Sequence, residues 1–139
     1  MYRILMPVDA DEGRARSQAR FVAGLPGATD GVDVRLLFVF SHEGEDLPEE
    51  LSRFKSADRI GSVRRAVEHL EAANVDVEVA EESGKPARII LREAEDFDAD
   101  LIVLGGRKRS PVGKAIFGSV AQTVILESDR PVAVTGSTE

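Results

Sequence analysis

The sequence predicts a doubly wound α/β fold of the Rossmann-like kind, and three observations carry that prediction. Short apolar runs alternate with segments whose apolar residues recur at helical spacing, five runs against four helical segments. Two of the runs are almost continuously apolar, as strands covered on both faces of a parallel sheet are. Gly, Pro, Asp or Asn stands at nearly every junction. Strands and helices in strict alternation call for a parallel sheet with helices on both faces.

Tyr2 to Val8 (YRILMPV) is the first strand, and Asp9-Ala10-Asp11-Glu12-Gly13 the polar loop that ends it. From Arg14, the residues Ala15, Ala19 and Val22 mark a helix that Gly24, Pro26 and Gly27 stop. Val32 to Phe40 is the second strand. Glu43 to Glu50 holds five acids and no base, with Gly44 and Pro48 among them, and reads as a solvated loop. Ile60, Val63, Val67 and Leu70 form one stripe of a helix ending near Asn74; His69 lies beside that stripe, with no second ligand at helical spacing. Val75, Val77 and Val79 alternate with polar neighbours, the pattern of a strand at a sheet edge. Pro86 opens a helix through Ala87, Ile90, Leu91 and Ala94 to about Asp96. Ala99 to Leu104 is the fourth strand, ending in Gly105-Gly106. Val120, Ala121, Val124 and Ile125 give a last helix, and Val132 to Val134 a last strand.

With 139 residues the chain is expected to fold as one domain, 1–139. No run approaches a membrane span, and the first residues enter a strand directly, so a cytoplasmic protein without membrane contact is expected. Cysteine is absent, which excludes disulfides, thiolate catalysis and cysteine-ligated metals. The formal charge of -7 argues against nucleic acid as a partner. Only four of the 18 bases are lysine, a composition that suits a salty cytoplasm.

One segment runs against this acidic background. Residues 107 to 114 contain Arg107, Lys108, Arg109 and Lys114 and no acid; without them 14 bases face 25 acids, a charge of -11. Gly118-Ser119 then precedes a helix, whose first N–H groups lack partners and favour an anion. Ser119 is able to cap that helix or to donate to a phosphate oxygen. The bland alternative is that the glycines make turns, Ser119 caps, and the bases offset acidic neighbours. The segment is not a Walker loop: six residues separate Gly106 from Gly113-Lys114, and Ala115 stands where a hydroxyl would hold magnesium. Nor is it the dinucleotide turn, which follows the first strand. No nucleophile with an adjacent base can be placed, so a binding protein is expected before an enzyme.

Pro7-Val8-Asp9, Asp100 to Gly105, Gly118-Ser119-Val120 and Arg130-Pro131-Val132 together resemble the universal stress protein (UspA-like) family over essentially the whole chain. The resemblance implies a sheet in the order 3-2-1-4-5, a homodimer through the last strand, and membership among either the ATP binders or the non-binders. The binders carry Gly-x-x-Gly, nine residues, then Gly-Ser or Gly-Thr. Gly105 takes the first position, Gly118-Ser119 the last pair with nine residues before it, and Lys108 replaces the second glycine. Lysine there gives up the easy positive φ of glycine and supplies an ammonium for a phosphate instead. By this resemblance Pro7, Val8 and Asp9 line the nucleoside end, Val39 meets adenine, and Leu104 with Gly105 lies near the ribose. Lys108, Gly118, Ser119 and Val120 then hold the phosphates of ATP or another adenine nucleotide, with magnesium accompanying ATP. Asp9 has a second reading, as a residue that simply turns the chain after the strand. The implied function is a regulatory, stress-responsive nucleotide module; the alternative is a dimeric interaction protein that binds none.

Overall fold

The computed structural model describes residues 1–41, 60–106 and 118–136. In chain order these form β1 (Tyr2–Pro7), α1 (Glu12–Ala23), α2 (Ala28–Gly31), β2 (Val32–Phe40), α3 (Gly61–Ala72), β3 (Asp76–Ser83), α4 (Pro86–Phe97), β4 (Leu101–Gly105), α5 (Ser119–Glu127) and β5 (Val132–Thr135). The five strands make one parallel sheet in the order β3-β2-β1-β4-β5. The doubly wound fold and its strand order are therefore as expected.

Alternation along the strands sorts side chains onto two faces. Ile4 and Met6 of β1, with Val8 just beyond it, join Val34, Leu36, Phe38 and Phe40 of β2 on the face covered by α1 and α3, where Ala15, Ala19, Val22, Val63, Ala66 and Leu70 pack. Leu5, Leu37, Ile102 and Leu104 face the other way, against Ile89, Ile90, Ala94 and Phe97 of α4 and Ala121 and Val124 of α5. β3, at the edge of the sheet, carries exposed acids at Asp76, Glu78 and Glu81, with Val79 and Ser83 exposed beside them. Charges on an edge strand discourage pairing with another chain.

Several boundaries move. The first helix begins at Glu12 rather than Arg14, because Asp11 is its N-cap and accepts from the Arg14 N–H at 2.9 Å. A one-turn helix, α2, follows the Gly24-to-Gly27 stop and, among the described residues, adds a fifth helix to the four expected; Gly27, at φ 74°, turns the chain into it. β3 continues past Val79 to Ser83, and β4 starts at Leu101, not Ala99. Ala99 is buried while its N–H closes on the Ala94 carbonyl behind a left-handed Asp98, so the apolar signal there belongs to a helix terminus. The acidic segment from Glu43 to Glu50 lies outside the described residues. Among the described residues no helix is long and apolar enough to cross a membrane.

Candidate functional site

β1 stands at the centre of the sheet, where the chain turns from winding toward β3 to winding toward β5. Ligands of such folds sit outside the carboxyl ends of the strands at this reversal. Here that place lies between Pro7-Val8-Asp9 after β1 and Leu104-Gly105-Gly106 at the end of β4.

The loop after β1 is tied down on three sides. Asp9 accepts from the Asp11 N–H at 3.0 Å through one carboxylate oxygen and from Arg14 Nε at 3.0 Å through the other. Its carbonyl accepts from the buried Ser62 hydroxyl at 2.6 Å, so the first turn of α3 anchors the loop. Asp9 thus makes the chain turn that aspartate favours. Its side chain is nevertheless 55% exposed, so the carboxylate keeps an open side for a ligand.

The strand ends themselves are joined by Gln18, which is 1% exposed. Its Nε2 donates to the Pro7 carbonyl at 2.6 Å and to the Val103 carbonyl at 3.0 Å. Two acceptors leave no choice of orientation: only the NH₂ end of the amide serves both. Gly105 is hemmed in by the same helix, since a Cβ there would lie 3.0 Å from Gln18 Oε1 and 3.3 Å from Arg14 Cβ. Gly105 therefore has a packing reason to be glycine as well as the motif's reason.

Val39, Leu104 and Val120 fall in the apolar cluster on the α4 and α5 side, at the end of the sheet where β1 and β4 terminate. Pro7 is buried. Val8 turns its side chain into the opposite core, and its N–H donates to the Leu37 carbonyl at 2.9 Å. That leaves Val8 only its carbonyl for a ligand. Gly118, not Ser119, is the N-cap of α5, and no side chain caps that helix. The capping role given to Ser119 is corrected: it is the first helical residue, exposed, and placed among the N–H groups that precede any intrahelical bond. Lys108, with Arg107, Arg109 and Lys114, lies outside the described residues.

Gln18, Ser62 and Arg14 were not singled out from the sequence. The available signal was a polar residue among Ala15, Ala19 and Val22 on the inner stripe of α1, opposite a proline in a central strand.

Comparison with known proteins gives a consistent picture. The sequence pattern of the universal stress protein family matches residues 1–136. A universal stress protein of Mycolicibacterium smegmatis is 43% identical over 75 residues, 53% of this chain and 58% of that protein. The match thus spans little more than half the length of that relative. Stress response protein NhaX of Bacillus subtilis is 29% identical over 124 residues, 89% of this chain and 69% of that protein. Among solved structures, a universal stress protein from Archaeoglobus fulgidus superimposes with a TM-score of 0.73 at 32% identity, covering 97% of this chain and 98% of that one. A universal stress protein structure from the same organism, in complex with dAMP, gives a TM-score of 0.71 at 26% identity, covering 97% and 98%. With the sheet order, the switch-point loops and these matches in agreement, the chain belongs to the universal stress protein family.

Proposed function

We propose that this chain is an adenine-nucleotide-binding regulatory module of the stress response, with ATP or AMP as ligand at the ends of β1 and β4. The observation that carries this reading is the dAMP complex of the Archaeoglobus fulgidus relative, which shares the fold over 97% of this chain. The switch-point geometry supports it: an exposed carboxylate at Asp9, the apolar group of Val39, Leu104 and Val120, and the first N–H groups of α5 behind Gly118, which precede its intrahelical bonds. Pro7, Val8, Asp9 and Val39 serve the nucleoside, Leu104 and Gly105 the ribose, and Lys108, Gly118, Ser119 and Val120 the phosphates. Among the described residues no three His, Asp or Glu side chains gather into a metal site. The reading assigns magnesium no protein ligand and gives the protein no catalytic step.

A second reading, an interaction dimer without nucleotide, draws on Asp9, both of whose carboxylate oxygens already have donors within the chain. Titration calorimetry with adenosine and ATP separates the two. Asp9→Ala is expected to weaken both ligands by a similar factor, because the nucleoside is common to them. Lys108→Ala is expected to weaken ATP by about 1.5–3 kcal/mol, the value of a hydrogen bond to a charged group, and to spare adenosine. A wild-type protein that binds neither ligand at millimolar concentration returns the function to the interaction dimer.

Dimerisation through β5 belongs to both readings. β5 pairs with β4 along one edge, and among the described residues no strand covers the other. An open edge of Val132, Ala133 and Val134 presents N–H and C=O groups to a second copy. Leu126 and Ile125, at the end of α5 just before this strand, are 83% and 39% exposed. Val134→Lys is expected to shift the sedimentation of the protein from dimer to monomer at micromolar concentration; a monomeric wild type overturns the dimer.

A further inference from the structure

A parallel ladder directs the N–H and C=O of alternate residues toward opposite neighbours. Directly after β1 the N–H of Val8 goes to the Leu37 carbonyl of β2, so residue 7, the last of β1, faces β4. With Leu5 opposite Ile102, the next carbonyl of β4 to receive a donor from β1 is that of Val103, and the donor due is the N–H of residue 7. Residue 7 is proline and has none. Proline in a sheet is ordinarily confined to edges and bulges for this reason, yet β1 is the central strand.

Gln18 fills the gap. One hydrogen of its Nε2 reaches the Val103 carbonyl that proline leaves without a donor, and the other reaches the Pro7 carbonyl beside it. We propose that Gln18 is the positioning residue of the switch-point cleft: its amide replaces the N–H that Pro7 lacks and wedges the ends of β1 and β4 at the spacing that a ligand meets. The paired register of the two strands stops at Leu5 and Ile102, short of this wedge. Asp9 and Gly105 each stand two residues beyond one of the wedged carbonyls. The Gln18 oxygen lies against Gly105, so the same side chain sets both the spread of the strands and the path of the β4 backbone. The wedge follows from the strand geometry alone, whereas its service to a ligand rests on the nucleotide reading above.

The test is a cycle between Gln18→Met, which keeps the volume and removes both donors, and Pro7→Ala, which gives residue 7 an N–H. Alone, Gln18→Met is expected to lower the unfolding midpoint by about 10 °C, since two buried carbonyls lose their donor. In the Pro7→Ala background the same change is expected to cost less than about half as much, because the residue 7 N–H takes the Val103 carbonyl. Adenosine affinity behaves differently. Gln18→Met is expected to weaken it about tenfold in both backgrounds, because zipping the strands restores a hydrogen bond and does not restore the cleft. A role in stability alone would make affinity recover along with the midpoint, and that result overturns the positioning role.

Equal losses of stability in the two backgrounds overturn the wedge itself. In the wild-type protein, without any variant, hydrogen exchange supplies an independent check. Both side-chain amide protons of Gln18 are expected to exchange at least about a hundredfold more slowly than those of exposed Gln122, as befits a buried, doubly bonded amide. Equal exchange of the two glutamines also overturns the wedge. Failure of wild type to bind adenosine overturns the nucleotide reading and the ligand part of this proposal, while the stability cycle and exchange still decide the wedge.

Discussion

Gly106→Ala is expected to lower the stability of the folded protein by about 3 kcal/mol, at the upper end of what overpacking costs. A Cβ at Gly106 would stand 2.6 Å from the carbonyl oxygen of Thr135 and 3.1 Å from Val134 Cγ1. The nearer atom is backbone, so no rotamer change relieves the contact. Nor is that backbone free to withdraw, because the Gly106 N–H donates to the same Thr135 carbonyl at 2.8 Å and Thr135 Oγ1 donates to the Leu104 carbonyl at 3.3 Å. The strain therefore falls on the pairing of β4 with β5, the strand that carries the proposed dimer contact. Urea denaturation checks the expectation, with Gly31→Ala as the comparison. Gly31 ends a helical turn with nothing within 4 Å of its would-be Cβ, and alanine there is expected to be neutral or slightly stabilising. If Gly106→Ala proves as mild as Gly31→Ala, the close approach of β5 to the end of β4 is wrong.

Much of this architecture was legible because the signals are local and agree with one another. The period-two and period-3.6 patterns name the same elements as the Gly and Pro punctuation, and a chain of alternating strands and helices has few ways to close a sheet. What escaped was short or terminal. α2 is a single turn whose four residues, Ala-Thr-Asp-Gly, carry no periodicity to detect. Ala99 and Asp100 read as strand because they are continuous with Leu-Ile-Val-Leu, whereas β4 begins at Leu101: the Ala99 N–H goes back to Ala94 in the turn after α4, while the Asp100 N–H already reaches across to the Arg3 carbonyl of β1.

The site was legible in its glycines and loops and not in its supports. Pro7, Asp9 and Gly105 stand at strand ends, where a sequence announces a change of direction. Gln18 and Ser62 act on partners 85 and 53 residues away, at Val103 and Asp9. No spacing rule along the chain connects such pairs; the sheet must exist before they meet. Ser119 was placed one residue early for a similar reason, since Gly118 adopts the extended N-cap conformation without offering a side chain to mark the boundary.

Arg35→Met is the second substitution expected to be severe, at about 2–3 kcal/mol. Arg35 lies within the run Val32 to Phe40, among Val34, Leu36 and Leu37. It shares a face with Leu37, the face that α4 covers. Its Nε donates to Glu78 at 2.7 Å, its Nη1 reaches Glu93 at 3.4 Å, and the guanidinium lies 4.4 Å from the centre of the Phe97 ring. Burial by itself would lower the Arg35 pKa, but the hydrogen bond and charge of Glu78, with those of Glu93, raise it above its ordinary value. The positive charge therefore persists throughout the working pH range, and the stability it contributes is lost only in strong alkali, as pH climbs through that raised value. Glu78 is 55% exposed and reverts to water when Arg35 is removed; Glu93, at 9%, does not. Most of the expected cost is thus the buried carboxylate left without its cation, reduced from the 3–5 kcal/mol of a fully buried pair because the Arg35 side chain is itself a quarter exposed. The double variant Arg35→Met, Glu93→Leu is expected to recover most of the loss, since an apolar pair in that position buries no unpaired charge. Denaturant midpoints of the two single variants and the double variant check this. A double variant no more stable than Arg35→Met would locate the loss in the Phe97 stacking rather than in the stranded charge of Glu93.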